Sequence, residues 1–360
     1  MKPQWTCDAS AMARLKDLME IISPSMGEAP MANILRSHWR NAGAAVRTDV
    51  MGNVYATLGE GYGLKIGVIA HMDTVAVQIS NIMPSGLVQL RHIGLRAHTL
   101  LGQPMKVMTR NGVIDGVIGF DPTSQYGQPK GLVDEDLWMD IGASGYEQAC
   151  QMVEVGDLAV FAPRFAKMGD DYVCGTAIDD RIGLFVMDEC LGWFARHGVE
   201  ANLHFVGTAQ EEVGLRGAAI IAANTPLDAC LVLDVDYATD TPTHHENQMG
   251  PLRLRHGAGM HIKSDNNPVL RRICKEVAGR EGIPCQQSLG RFIYGGTDGT
   301  SLQIQQRGIS VVNINIPCRY MHSPVEMCSI KDVESAVRLL VAVIGELAER
   351  GTNSFIPGID

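Results

Sequence analysis

Short apolar runs that end on a histidine or a carboxylate constrain this 360-residue chain more than any other feature. Leu64 to Ala70 empties into His71-Met72-Asp73, and Cys230 to Leu233 ends on Asp234. Ala201 to Thr208 precedes Gln210-Glu211-Glu212, and Ile309 to Ile316 leads to Tyr320-Met321-His322-Ser323. Asp179-Asp180-Arg181 opens a helical pattern that reaches His197. Runs this short suit strands buried on both faces, and helical periodicity falls between them. The alternation predicts an α/β fold, an α/β sandwich whose mixed sheet is largely parallel at its core. In open α/β sheets ligands bind just beyond the carboxyl ends of strands.

The pattern predicts helices at Met12 to Ile22 and Ala29 to Ala42, then two strands within Ala45 to Leu58 turning at Met51-Gly52-Asn53. The texture changes between about Val75 and Met168. Short β-like runs at Leu87 to Ile93, Met105 to Arg110 and Val113 to Ile118 are divided by the turn-forming pairs Asn111-Gly112 and Asp115-Gly116. Residues 76–168 therefore read as a small β-rich, barrel-like insertion, with one helix at Gly145 to Met152. It separates residues 1–75 from residues 169–360, the two parts of one catalytic domain. Further helices are expected at Gly214 to Ala223, Asn267 to Glu281, Thr297 to Arg307 and Lys331 to Arg350.

A net charge of −10 argues against nucleic acid as a partner, since phosphate backbones require a basic footprint. No apolar run approaches the roughly 18 residues that span a bilayer, and residues 1–22 show no secretory h-region. Nine scattered cysteines without a C-x-x-C pair read as reduced thiols, which suits the cytoplasm.

At the strand ends the residue types suit metal chemistry. His71 offers a neutral imidazole ligand, and Asp73, two residues on along an extended chain, lies on the same side to accept the other ring N–H. Glu211 and Glu212 repel each other unless a cation or proton neutralises one; a metal takes one as ligand and leaves the other as general base. Of Asp179 and Asp180, one suits a bridge between two metals and the other a helix cap. Asp234 closes an apolar strand, a costly place for an unpaired charge. Two histidines and three carboxylates, one of them shared, suit two divalent ions such as Zn²⁺ or Co²⁺.

The segments Ala70-His71-Met72-Asp73, Ala177-Ile178-Asp179-Asp180-Arg181, Ala209 to Ala218, Gly295-Gly296-Thr297-Asp298 and Arg319 to Glu326 resemble the M42 family of metallopeptidases, in order and across residues 10–350. Leu100-Leu101-Gly102-Gln103, Gly116-Val117-Ile118-Gly119 and Asp140 to Ser144 resemble its β-rich dimerisation domain. The resemblance implies that His71, Asp179 and Asp234 hold one metal, and Asp179, Glu212 and His322 the other. It further implies that Asp73 orients His71 and that Glu211 is the general base on a metal-bound water. The implied activity is removal of N-terminal residues from short peptides by a homo-oligomer, from dimer to dodecamer. Departures occur at Thr74, where many members carry Glu, at Gly299-Thr300-Ser301, and in Phe120 to Gly131, which lacks a histidine expected from relatives. The alternative within the same chemistry is a dinuclear metal amidohydrolase acting on a small acylated or amidated metabolite.

Other features read more plainly. The 18 methionines are core filler. Gly295-Gly296-Thr297-Asp298-Gly299 lacks a Walker lysine and lines the peptide site rather than a phosphate. His244-His245-Glu246 belongs to a polar loop, Ser323 lacks a nucleophile elbow, and nothing marks Cys328 as activated.

Overall fold

A computed structural model describes residues 4–119, 137–242, 246–290, 293–306 and 308–356 of the chain. Its largest element is an eight-stranded mixed sheet. The strands, in chain order, are β1 (Ala45–Thr48), β2 (Val54–Leu58) and β3 (Lys65–His71); β4 (Ala76–Ile82), β5 (Val88–Ile93), β6 (Pro104–Thr109), β7 (Gly112–Gly119), β8 (Trp138–Asp140) and β9 (Leu158–Phe161); β10 (Phe165–Met168) and β11 (Tyr172–Gly175); then β12 (Asn202–Thr208), β13 (Ala229–Tyr237), β14 (Ala258–His261), β15 (Cys285–Ser288), β16 (Ser310–Cys318) and β17 (Glu326–Ser329). The sheet runs β1-β2-β12-β3-β13-β16-β14-β15. Its four central strands, β12, β3, β13 and β16, are mutually parallel, and antiparallel pairings flank them on both sides.

Both faces of the central strands are buried, which is why they read as continuous apolar runs. Ile66, Val68 and Ala70 of β3, with Leu231 and Leu233 of β13, face the main core beneath the long helices Ala9–Met19, Ala29–Asn41, Ile178–His197, Pro268–Glu281 and Ile330–Arg350. Ile69, Val206 and Val232 face a thinner layer made with Ala218, Ile221 and Leu302. By the two-residue period of strands, His71, Thr208 and Asp234 share that thinner side, at the carboxyl ends of three adjacent parallel strands.

The strands β4 to β9 close into a six-stranded barrel, in the order β4-β5-β8-β7-β6-β9, around Val77, Val107, Ile118 and Met139. Asp115-Gly116, expected as a turn, lies inside β7. A Cβ on Gly116 would meet Met139 Sδ at 2.7 Å, so this glycine serves a close approach of β7 to β8 rather than a reversal. The expected helix at Gly214 to Ala223 is also corrected. The chain turns through this stretch and forms only the short pieces Ala218–Ile220 and Ile221–Asn224. Leu215 sits at φ 58°, which an α-helix cannot contain, so apolar spacing misled there. The first helix is Ala9–Met19, starting earlier than its apolar stripe because Asp8 caps it through Ala11 N–H. The helix expected at Thr297 to Arg307 is shortened to Asp298–Gln303. Phe120 to Gly131 and His244-His245 lie outside the described residues; Glu246 opens a one-turn helix. All nine cysteines are free thiols, and no helix among the described residues is long and apolar enough to cross a membrane.

Candidate active site

The carboxyl ends of the parallel strands bring together all seven residues singled out from the sequence. His71 ends β3 and is 2% exposed. Its Nε2 lies 3.0 Å from Asp179 Oδ1 and 4.0 Å from Asp234 Oδ1. His322 follows β16, and its Nε2 lies 3.2 Å from Asp179 Oδ2 and 3.3 Å from Glu212 Oε2. The two oxygens of Asp179 therefore face different histidines, and each histidine stands beside one further carboxylate. Ligand atoms of His71, Asp179 and Glu212 lie within 4.8 Å of one another, as do those of His71, Asp180 and Asp234. That places Asp180 closer to the cluster than a capping role required. It does cap, accepting from Gly183 N–H at 3.0 Å through Oδ1, but its buried Oδ2 has no partner among the described residues.

Asp73 holds the frame. It is fully buried, and its two oxygens accept the N–H groups of Glu211 at 3.0 Å and Glu212 at 3.1 Å, together with Ser25 Oγ at 2.7 Å. Burial alone would raise its pKa. Its contacts with His71, Ser25 and Glu211 N–H hold it below the usual carboxylate range. The His71 Nδ1 lies 3.0 Å from the Asp73 carbonyl and 3.6 Å from its carboxylate, which leaves Nε2 turned toward Asp179.

The residues that sequence reasoning left without a role are acceptors and donors to backbone. Glu326, 1% exposed, accepts from Asp179 N–H at 3.0 Å and from His322 N–H at 2.7 Å, tying two strand-end loops together. Burial, then the charge of Asp179, lifts its pKa to about 8. Arg181 is fully buried and donates to the carbonyls of Met72 at 2.7 Å and Ile21 at 3.3 Å. Gly94, in the loop after β5, accepts from His322 Nδ1 at 2.9 Å. Glu326 and Arg181 stand inside the motifs that carried the resemblance; Gly94 gives no signal beyond that of any turn glycine. The loops themselves are tightly shaped. Among the described residues, five of the eight non-glycine positions with left-handed φ flank the cluster: Ala177, Gln210, Leu215, Tyr320 and His322.

Charge in the site is one-sided. Asp73, Asp179, Asp180, Glu211, Glu212 and Asp234 outnumber His71, His322 and Arg181. Burial raises Asp234 well above the carboxylate range, and the neighbouring Asp179 and Asp180 add to it. Burial likewise raises Glu211, with Glu212 and Asp298 contributing. Asp179, like Asp73, is driven down, since His322 and His71 outweigh its burial. Unpartnered buried oxygens on Asp180 and Glu212 show that protein donors do not complete the site. Imidazoles and carboxylates at this spacing fit a divalent cation, whose donors at ~2.0–2.2 Å stand within roughly 4.4 Å of each other.

A sequence profile of the M42 glutamyl aminopeptidase family matches residues 52–339. The chain belongs to that family. The lysyl aminopeptidase of Pyrococcus furiosus is 32% identical over 310 residues, covering 84% of this chain and 87% of that protein. Among solved structures, the TET aminopeptidase of Thaumarchaeota archaeon SCGC AB-539-E09 superposes with a TM-score of 0.91 at 30% identity, covering 96% of this chain and 99% of that one. The TET1 peptidase of Pyrococcus horikoshii, which can assemble into a tetrahedron or a large octahedral shell, has a TM-score of 0.85 at 28% identity over 94% of this chain and 100% of its own. As a member of the M42 family, the chain is a metallopeptidase of the aminopeptidase class, a hydrolase of peptide bonds.

Proposed function

We propose that the chain removes the N-terminal residue from short peptides at a dinuclear metal centre, with Glu211 as general base. The observation that carries this reading is the split of Asp179, one oxygen toward His71 and the other toward His322. His71, Asp179 and Asp234 would hold one ion, and Asp179, Glu212 and His322 the other, with Zn²⁺ or Co²⁺ suited to such mixed nitrogen and oxygen donors. When bound, such ions polarise the scissile carbonyl and lower the pKa of water.

The chain's own residues do the rest. Glu211 lines the cavity beside the cluster, and its carboxylate makes no hydrogen bond among the described residues. Burial and its acidic neighbours raise its basicity. It would take a proton from the attacking water and return it to the leaving amine. Asp73 aims both glutamates through their N–H groups and stays ionised while doing so. Glu326 sets the spacing between Asp179 and His322. The shells formed by the Pyrococcus horikoshii peptidase support a homo-oligomer here as well.

The test is hydrolysis of aminoacyl-p-nitroanilides and short peptides by metal-free and reconstituted protein, each peptide with a free and an acetylated N-terminus. Metal-dependent release of the first residue alone, blocked by acetylation, is expected. Metal binding without cleavage of any of them would count against the aminopeptidase and favour an amidohydrolase of small acylated metabolites.

A further inference from the structure

Two cavities meet at His322. The first, about 360 Å³, contains Asp179, Glu211, Glu212 and Asp234. The second, about 1020 Å³, opens toward the barrel, where Gly94, Arg96 and His98 form its wall. Tyr237, Met321 and His322 line both, so the two make one groove. They differ in size and in sign. Asp179, Glu211, Glu212, Asp234 and Asp236 line the first, whereas no carboxylate among the described residues lines the second.

An aminopeptidase leaves one residue on the amine side of the scissile bond and the remaining peptide on the other. The smaller cavity suits the single residue, and the larger suits the remaining peptide. Arg96 dominates the charge of the larger one. Its exposed side chain has no partner among the described residues, and a guanidinium presents its N–H donors in a planar fork that matches a carboxylate. The loop that carries it is anchored on two sides. Leu95 and Ala97 are buried in the barrel core, and Gly94 accepts from His322 Nδ1 at 2.9 Å. A Cβ at Gly94, which has φ +71°, would lie 2.5 Å from Val75 Cγ1 and 3.3 Å from Glu212 Oε2, so the loop sits directly against the Glu212 carboxylate. The backbone that carries Arg96 is thereby anchored beside the site.

We propose that Arg96 is a specificity-determining residue that pairs with the free C-terminal carboxylate of a short peptide, so that the larger cavity reads the far end of the substrate. This rests on the aminopeptidase reading above and deepens it. A planar guanidinium takes a carboxylate through two parallel N–H···O bonds, which a terminal amide cannot reciprocate with charge. Longer peptides carry their terminal carboxylate past this point, so the contact favours short chains.

The test uses the full-length, metal-loaded protein and three substrates with one N-terminal residue: a tripeptide, its C-terminal amide and the aminoacyl-p-nitroanilide. Wild type is expected to show a KM roughly tenfold lower for the acid than for the amide, with similar kcat. In Arg96→Gln that ratio falls to about one; Arg96→Lys keeps part of it. A ratio near one in wild type, or one that survives Arg96→Gln, overturns the proposal. The three substrates together separate the two readings. If wild type releases the first residue from the tripeptide and the acid and amide do not differ, only the Arg96 assignment fails; if wild type cleaves none of the three, the aminopeptidase reading fails and takes this one with it.

Discussion

Two regions of this molecule gather charge, and they do so in opposite ways. On the outer face of the helices Pro268–Glu281 and Ile330–Arg350, three acids meet two arginines: Arg280 lies 3.0 Å from Glu281 and 2.5 Å from Glu346, and Arg350 lies 2.6 Å from Glu346 and 3.4 Å from Glu276. That ladder is complete in itself. At the carboxyl ends of the parallel strands the acids are buried and in excess, and an oxygen of Asp180 and one of Glu212 have no partner among the described residues. The difference teaches where function sits. A protein has no structural reason to bury repelling carboxylates it does not neutralise, and the same repulsion makes them receptive to divalent cations.

The hardest way to break the comparison is to remove a carboxylate that has no neighbour to serve. Glu211→Gln keeps the shape of the site, and turnover is expected to fall by roughly 10²–10⁴-fold, the usual range for a lost general base. Bound metal, measured by elemental analysis, should stay at the wild-type ratio. Equal loss of metal and activity would instead make Glu211 a ligand.

Removing the cations should expose the repulsion. A cation at a hundred times its dissociation constant stabilises a fold by about 2.7 kcal/mol, so chelation is expected to lower the melting temperature by several degrees. Proton exchange sharpens the point. Burial pushes Asp234 and Glu212 above the carboxylate range, and the surrounding carboxylates outweigh burial to push His322 above its own ordinary value. Near neutrality the cation-free cluster thus retains protons that a cation must displace. Metal uptake should release protons, and affinity should rise with pH. Titration calorimetry in two buffers of different ionisation heat reads this directly; no buffer dependence would mean that the cation-free cluster is already deprotonated.

Next in size is the frame. Asp73→Asn removes one oxygen that accepts the N–H of Glu211 or Glu212, and Glu326→Gln does the same between Asp179 and His322. Each is expected to cost 10–100-fold in metal affinity or activity. Restoration of activity by excess metal would separate a positioning fault from loss of the base.

Much of this is legible in the sequence alone. The central strands declare themselves because both faces are buried, and the polar residue that ends each run marks the place where the chain leaves the sheet. His71, Asp234 and Glu212 stand out for that reason. What sequence could not convey was contact made through backbone. Glu326 matters because its two oxygens meet N–H groups in separate loops, and Gly94 because its carbonyl reaches a histidine 228 residues away. Neither relation leaves a local pattern. The misread stretch after Glu212 shows the reverse case, apolar spacing overruled by a turn that must aim two carboxylates.

The outer ladder supplies the smallest expected effect, and the one that tests the premise. Arg280→Gln breaks contacts with Glu281 and Glu346 where Arg280 itself is half exposed. Water and salt already screen these charges, and Glu346 keeps Arg350 at 2.6 Å. The melting temperature should shift by no more than about 2 °C, by less in high salt, with peptide hydrolysis unaltered. A loss as large as that from chelation would mean that paired surface charges and unpaired buried ones contribute alike. Burial would then no longer distinguish the functional cluster from the surface ladder.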